Sequence, residues 1–381
     1  MTKGESVSNA RTATAAEYQS QSAGGASQLI SRDATTTRAS MECWLERKLG
    51  SPVRVDGLQR PSGAGTSNDT QLFSAHWHHE GVPKQLDLVL RVQPASYQLF
   101  LDPLFHEQYR LLEILYDSSL VRVAKPFWYE HDTSVLGQPF YVMARLPGRV
   151  PVSFPPYNQA GFLFDASVHE RRKLWVSAVG ELARIHRTPL ENVAFLQRPA
   201  YGVSGFEQHW NYQLAYANWA TSGRLPVFME RTLEWLVAHR PANPLDGFSW
   251  GDARIGNMMF SPSFTVAGVM DWEQMSLGGA MQDLGWWTFF DDAYSSGVGL
   301  ERLAGLGSRD ETVALWEALT GLECHDLLWY EVFAGWKLAI ILCRKFAIEG
   351  TAAPGRNSSN NLFTRLIAER LEIAPPRDEC T

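Results

Sequence analysis

Residues 249–273 read SWGDARIGNMMFSPSFTVAGVMDWE, and three side chains there are of types that do chemistry together. Asp252 is followed five positions later by Asn257, and Asp271 closes an apolar run. Phosphoryl transfer uses such a set: one carboxylate orients the attacking hydroxyl, while a second carboxylate and an amide oxygen hold Mg²⁺ against nucleotide phosphates. The spacing predicts that Asp252 and Asn257 bracket a tight turn after a short strand. Residues 265–270 then form a strand whose end brings Asp271 back beside that turn. Arg254, two positions after Asp252, is within reach of a transferring phosphate. On its own, D-x-x-x-x-N describes an Asp-rich turn between strands equally well.

The elements that must position this set are legible along the chain. Met41, Trp44, Leu45 and Leu49 have helical spacing before Gly50, so order is expected to begin near Ala39. Residues 1–37 are rich in Ser, Ala, Thr, Gly and Gln, a composition that reads as a disordered tail. Strand-like residues 53–58 and 71–77 flank the run PSGAGTSN at 61–68. There Ser62, Gly63, Gly65 and Ser67 let backbone N–H groups approach phosphates closely, or they make a simple hairpin turn. The run lacks the GxxxxGK[ST] pattern of a Walker A loop. In residues 85–92 the alternation of a strand puts Val89 and Arg91 on one face. A helix is expected from Pro103 with Asp102 as its N-cap, carrying Glu107. Residues 139–146 read as a buried strand and 151–164 as a Pro- and aromatic-rich loop. Ser167 and Glu170 make a capping box for a helix running to about His186, and Pro189 ends it. Residues 201–219 crowd six aromatics into helical core or an apolar substrate wall, and residues 226–239 form an amphipathic helix. Residues 326–348 are apolar almost all round, as a core helix would be, and residues 362–373 form the last helix.

Composition excludes several function classes. The 381 residues are 45% hydrophobic with 14 Trp, enough for a sizeable core in two or three domains. A net charge of −7 argues against a general nucleic-acid binder, which needs a basic face. No apolar run reaches the length of a membrane span, and the polar N-terminal segment lacks a signal-peptide core, so a cytoplasmic location is expected, with no membrane and no evident protein partner. The four cysteines show no C-x-x-C spacing, which indicates neither a zinc site nor a disulfide framework.

W-G-D-A-R-I-G-N resembles the HGDxxxxN signature of aminoglycoside and choline phosphotransferases, and the following apolar strand and Asp271 resemble the metal loop of the protein-kinase-like fold. The resemblance runs from about Cys43 to Ile373. It implies a two-lobed α+β fold: a small β-rich nucleotide-binding lobe over residues 38–143, a larger, mainly helical catalytic lobe over 144–373, and a short tail at 374–381. ATP and Mg²⁺ are the implied cofactors and a small-molecule hydroxyl the acceptor. On this resemblance Asp252 is the hydroxyl-orienting base, Arg254 a γ-phosphate contact, and Asn257 and Asp271 the metal ligands. Arg91 stands for the usual Lys on the α- and β-phosphates, with Glu107 as its ion-pair partner. The backbone from Met143 to Arg145 faces the adenine edge, and Pro147-Gly148 resembles the hinge. Asp283 corresponds to a carboxylate that braces the catalytic loop, and His186 of the LAxLH-like segment is a packing histidine. Trp250 stands where the family has a bracing His, an exchange that removes no phosphate or metal ligand. The opening of the core helix, DLLWY at 326–330, resembles the phosphotransferase branch fused to acyl-CoA dehydrogenases.

That branch and the aromatic stretches favour a hydroxyacyl or other apolar alcohol as acceptor. An aminoglycoside, a polycation, would instead need convergent carboxylates, for which Asp291, Asp292, Glu323, Asp326 and Glu331 are available. A reading of a different class is a nucleotide-binding pseudokinase whose loop Trp250 has distorted.

Overall fold

The computed structural model describes residues 33–61, 69–95, 98–350 and 359–376. They fall into two compact units. The smaller holds the described residues up to Gln98 together with Pro103–Pro147; the larger holds Leu99–Asp102 and the described residues from Gly148 onward. The division after Pro147 lies four residues beyond Met143, where the sequence reading placed it.

The smaller unit opens with α1 (Ala34–Leu49), which starts five residues earlier than its hydrophobic spacing suggests, because Asp33 caps it by accepting from the Thr36 N–H. Residues 34–37, read as tail, are thus helical, and Thr37 is buried; the rest of the tail reading falls outside the described residues. Strands β1 (Arg54–Gln59), β2 (Asp69–His79), β3 (Val82–Val92), β4 (Pro126–Glu130) and β5 (Phe140–Ala144) form one antiparallel sheet in the order β1-β2-β3-β5-β4. Strand alternation sends Leu88, Leu90 and Val92 to one face, where they join Met41, Trp44 and Leu45 of α1 in a buried cluster. Trp44 anchors the helix by an edge contact to Phe140 and by its Nε1 donating to Glu130 Oε2 at 2.7 Å.

Val89 and Arg91 take the opposite face, as their spacing predicts. They stand directly across from Met143 and Tyr141 of β5. Onto Tyr141 packs α2 (Phe105–Ser118), through Phe105 and Tyr109. This helix begins two residues later than expected and has no side-chain cap; its N-cap is Leu104 at φ 47°. Asp102 lies two positions before that N-cap, and its carboxylate pairs with Arg198 at 3.3 Å. A one-turn helix, α3 (Thr133–Leu136), joins β4 to β5.

In the larger unit the Pro-rich stretch is not all loop. It contains the short α4 (Phe162–Asp165). The capping box at Ser167 and Glu170 forms as expected and starts α5 (Val168–His186). Then come α6 (Gly205–Ala220), α7 (Val227–Ala238), the two-stranded sheet of β6 (Met258–Phe260) and β7 (Val266–Val269), α8 (Ala280–Ala293), α9 (Arg309–Thr320), α10 (Leu327–Glu349) and α11 (Leu362–Arg370). The unit is built around α10, which packs on α6, α7, α8 and α11. Gly285 of α8 and Gly335 of α10 permit the close crossing: a Cβ on the first would lie 2.6 Å from Tyr330 backbone, and on the second 2.5 Å from the Phe289 ring. The aromatics of α6 are core and not a substrate wall, since Phe206 and Trp210 pack on Trp329 and Phe333 of α10. Among the described residues no helix is long and apolar enough to cross a membrane.

Candidate active site

The segment before Asp252 is fixed by side chains rather than by a strand; it makes only isolated bridges, Gly247 with Gly278 and Ser249 with Ser276. Asp283, in the first turn of α8 and fully buried, accepts from the Trp250 N–H at 2.6 Å, the Gly251 N–H at 2.7 Å and the Ser249 hydroxyl at 3.0 Å. Its Oδ2, which accepts from the Trp250 N–H, also lies 3.0 Å from His186 Nε2. Trp316 Nε1 donates to His186 Nδ1 at 2.8 Å, so the imidazole proton sits on Nε2 and points at Asp283. Asp283 is therefore the brace and His186 a satisfied packing residue, as expected. Gly251 has φ 96°, and a Cβ there would meet Gln274 O at 2.1 Å, so only glycine fits beneath the loop.

Asp252 itself is held on both oxygens. Its Oδ1 accepts from Trp286 Nε1 at 3.0 Å and Arg254 Nε at 3.2 Å, and its Oδ2 accepts from Asn257 Nδ2 at 2.6 Å. The turn between them is the 3₁₀ segment Ile255–Asn257. With its Nδ2 on Asp252, the Asn257 carboxamide turns its oxygen end the other way. Met270 N–H donates to Asn257 O at 2.9 Å, which returns the end of β7 to the turn and leaves Asp271 next in sequence. Asp271 has φ 60°, a left-handed conformation that Asp tolerates better than most residues. The buried Trp250 fixes that bend: its indole Nε1 donates to Met270 O at 2.9 Å and to Asp271 O at 3.0 Å. The residue that departs from the expected His thus ties the metal-loop backbone to the catalytic loop with an N–H donor of its own.

Arg254 does not turn to open solvent. Its guanidinium lies 5.1 Å over the Phe290 ring, its Nη1 donates to Ser153 Oγ at 3.2 Å, and Gly256 makes room for it, since a Cβ there would be 2.3 Å from Nη1. It borders a small concavity lined by Tyr157, Trp175, Trp287, Phe290, Tyr294 and Leu306 among others. The charged wall residue is Asp291, which accepts from Tyr157 Oη at 3.0 Å and pairs with Arg302 at 2.8 Å. Burial pushes the Asp291 carboxyl up to about 6, against the pull of Arg302 and with the help of Asp292. Burial also raises the Tyr157 phenol well above its ordinary value.

Of the five carboxylates named for a polycation, Asp291, Asp292 and Glu331 are paired with arginines. Arg302 and Arg370 pair with Asp292, and Arg309 pairs with Glu331 at 2.6 Å. Glu323 lies 3.2 Å from His325, and Asp326 occupies the N-cap of α10 at φ 55°.

In the smaller unit, Arg91 is buried on the face it shares with Val89, while Glu107 lies in the first turn of α2 and is half-buried. Among the described residues no ion pair joins Arg91 to Glu107. Glu107 instead acts on Tyr129, whose phenol is pushed up to about 12 by burial first and by that charge second. Of the Met143–Arg145 backbone, the Ala144 N–H donates to Lys125 O at 2.8 Å and the Arg145 N–H to Asp87 O at 2.9 Å, so these donors are committed within the unit. Ser62, Gly63, Gly65 and Ser67 lie outside the described residues. Sequence reasoning missed Trp286, Tyr157 and Arg302; only the WWTFF run signalled the first, as a buried helix.

Residues 60–322 match the profile of the Phosphotransferase enzyme family. The chain belongs to that family. Among curated proteins, this phosphotransferase is 31% identical over 177 residues to human Acyl-CoA dehydrogenase family member 11, covering 44% of this chain and 21% of that protein. It is 27% identical over 231 residues to the Arabidopsis thaliana probable acyl-CoA dehydrogenase IBR3, covering 58% of this chain and 26% of that protein. The chain thus spans about a quarter of the curated relatives it matches. Among solved structures, a provisionally assigned aminoglycoside phosphotransferase from Ralstonia eutropha JMP134 superposes with TM-score 0.62 at 23% identity, covering 87% of this chain and 96% of that one. Macrolide 2'-phosphotransferase MphH from Brachybacterium faecium superposes with TM-score 0.51 at 16% identity, covering 87% and 98%. A thermostable mutant of aminoglycoside phosphotransferase APH(4)-Ia, solved with ADP and hygromycin B, gives TM-score 0.52 at 14% identity, covering 86% and 98%. At these identities the likeness concerns the fold, which is the two-lobed phosphotransferase fold that the sequence implied.

Proposed function

We propose that the chain transfers the γ-phosphate of ATP, with Mg²⁺, to the hydroxyl of an apolar or acyl-bearing alcohol. The observation that carries this is the pairing of Asp252 Oδ2 with Asn257 Nδ2 at 2.6 Å, which orients a carboxylate and an amide oxygen from one turn, with Asp271 returned beside them. Among the described residues no group of three or more His, Cys, Asp and Glu is arranged to hold a metal ion by itself. Mg²⁺ takes one or two protein ligands and fills its shell with phosphate oxygens and water. Asn257 and Asp271 would hold it, and it would neutralise charge on the nucleotide phosphates.

Asp252 orients the acceptor hydroxyl. The hydroxyl oxygen bonds to the γ-phosphorus, the bond to the β-phosphate oxygen breaks, ADP leaves, and the hydroxyl proton passes to Asp252. Arg254 contacts the transferring phosphate, and its place beside the aromatic concavity sets the acceptor next to it. Arg91 serves the α- and β-phosphates, a role the sequence also assigns to Ser62, Gly63, Gly65 and Ser67, which lie outside the described residues. Because the Ala144 and Arg145 N–H groups are taken, other backbone groups from Met143 to Arg145 meet the adenine edge. The solved relative with ADP and hygromycin B supports nucleotide use, and the acyl-CoA-dehydrogenase relatives support an acyl-bearing acceptor.

An aminoglycoside acceptor is disfavoured, because Asp291, Asp292 and Glu331 are already neutralised by arginines. Nothing in the loop favours a pseudokinase, since Trp250 holds it in order. The test is ADP release over a panel of hydroxyacyl thioesters, simple alcohols and aminoglycosides, with Asp252→Asn as the blank. Release with the acyl-bearing alcohols alone is the expected result; release with aminoglycosides alone overturns the acceptor class.

A further inference from the structure

Lys337 lies in the middle of α10 at 3% exposure. Taking an ammonium out of water costs several kcal/mol unless strong partners replace its hydration. Its hydrogen-bond partners are neutral: Nζ donates to His209 Nε2 at 3.4 Å and to Gln282 Oε1 at 3.4 Å. It also sits over two rings, 5.1 Å from the centroid of Trp286 and 4.8 Å from that of Phe333. Burial pulls the lysine down to about 8, while the charges of Asp283 and Asp252 oppose that fall. His209, facing it from α6, is pushed well below its ordinary value by burial and by Lys337, so it is a neutral acceptor. An ionisable group buried this deeply, whose charge acts on Asp252, is a functional-site candidate.

Gln282 and Trp286 are one helical turn apart and share the face of α8 that meets Lys337. The same Trp286 donates its Nε1–H to Asp252 Oδ1 at 3.0 Å. One indole therefore has a buried cation against its ring and the base on its N–H. We propose that Lys337 is a positioning residue for phosphoryl transfer: its ammonium, seated on the Trp286 ring, fixes the indole that holds Asp252, and turnover falls when that ammonium loses its proton. The role in turnover rests on the phosphotransferase reading above; the coupling of Lys337 to Trp286 does not.

The experiment follows the indole N–H resonance of Trp286 in the full chain labelled with ¹⁵N-tryptophan, assigned by its absence in Trp286→Phe, as pH is raised through 8. In the wild type it should titrate with a midpoint near 8, and in Lys337→Met the titration should vanish. Turnover is read as ADP formed from Mg²⁺·ATP over the same panel of hydroxyacyl thioesters, simple alcohols and aminoglycosides. Lys337→Met should lower kcat about thirtyfold with ATP affinity unchanged, the rate equivalent of a desolvated cation–π contact. Lys337→Arg should keep turnover and move its alkaline loss upward. A Trp286 resonance that does not titrate in the wild type overturns the proposal, even if Lys337→Met fails to fold. ADP formation that is indifferent to Lys337→Met overturns the positioning role alone, and a wild type that forms no ADP while Trp286 titrates overturns the phosphotransferase reading instead.

Discussion

Replacing Trp250 by Phe removes one N–H and changes little else, which makes it a direct probe of how the metal loop is held. The indole donates to two part-buried carbonyls, Met270 O and Asp271 O, at 2.9 Å and 3.0 Å. Leaving buried acceptors unpaired costs about 1–3 kcal/mol. The smaller ring leaves a void beside Trp272 and Asp283, adding roughly 1 kcal/mol. The sum of roughly 2–4 kcal/mol lowers the melting temperature by about 4–16 °C in a domain of this size. The functional effect exceeds the stability effect, because Asp271 sits at φ 60° and relaxes toward the ordinary region once its carbonyl is released. That rotation carries the carboxylate off the Asn257 turn. Calorimetric ATP binding to Trp250→Phe should therefore lose most of its Mg²⁺ dependence while metal-free binding persists. Trp250→His, which restores a ring N–H donor, should recover it and leave the enzyme active. If Trp250→Phe melts with the wild type and keeps its full Mg²⁺ dependence, the indole does not hold the loop.

Three further outcomes follow from the same geometry. Asp283→Ala strips the acceptor from the Trp250 and Gly251 N–H groups, the Ser249 hydroxyl and His186; at about 1–3 kcal/mol for each buried donor left unpaired, thermal unfolding should show one of the largest single-residue losses in the larger unit. Gly256→Ala puts a Cβ 2.3 Å from Arg254 Nη1, so the guanidinium end must shift, and kcat should fall with ATP affinity held, as measured by steady-state ADP release. For Asp291, burial puts the folded value near 6, above the ordinary 3.8, so the folded state binds the proton more tightly than the unfolded one. Its contribution to stability is present below about 4 and lost as pH rises through 6. Asp291→Asn should flatten that part of the melting-temperature profile, and an unchanged slope refutes the assignment.

Much of the site was legible because its parts lie close in sequence. Asp252, Asn257 and Asp271 belong to one turn and one hairpin, and local spacing fixes what a short loop can bring together. The capping box at Ser167 and the alternation of residues 85–92 were readable for the same reason: each is settled by neighbours within a turn or a strand. What was not readable depends on packing between distant elements. Trp286 reaches Asp252 across 34 positions, and Tyr157 reaches Asp291 across 134. Lys337 looked like an interruption in an apolar helix, because sequence does not show which ring lies above it. Asp102 failed as a cap because its carboxylate was already engaged by Arg198, a contact 96 positions away that propensity cannot foresee. Trp250 could have been read correctly from its chemistry, since an indole N–H supplies the same kind of donor as an imidazole.

The central claim is that Asp252 orients the acceptor while Asn257 and Asp271 carry the metal. It is tested most directly by measuring calorimetric Mg²⁺·ATP binding beside ADP formation over the hydroxyl panel, for wild type and Asp252→Ala. The geometry predicts that Asp252→Ala keeps nucleotide affinity and loses turnover, because the base touches the nucleophile and not the nucleotide. Tight binding with no turnover on any acceptor, identical in the two proteins, would contradict it.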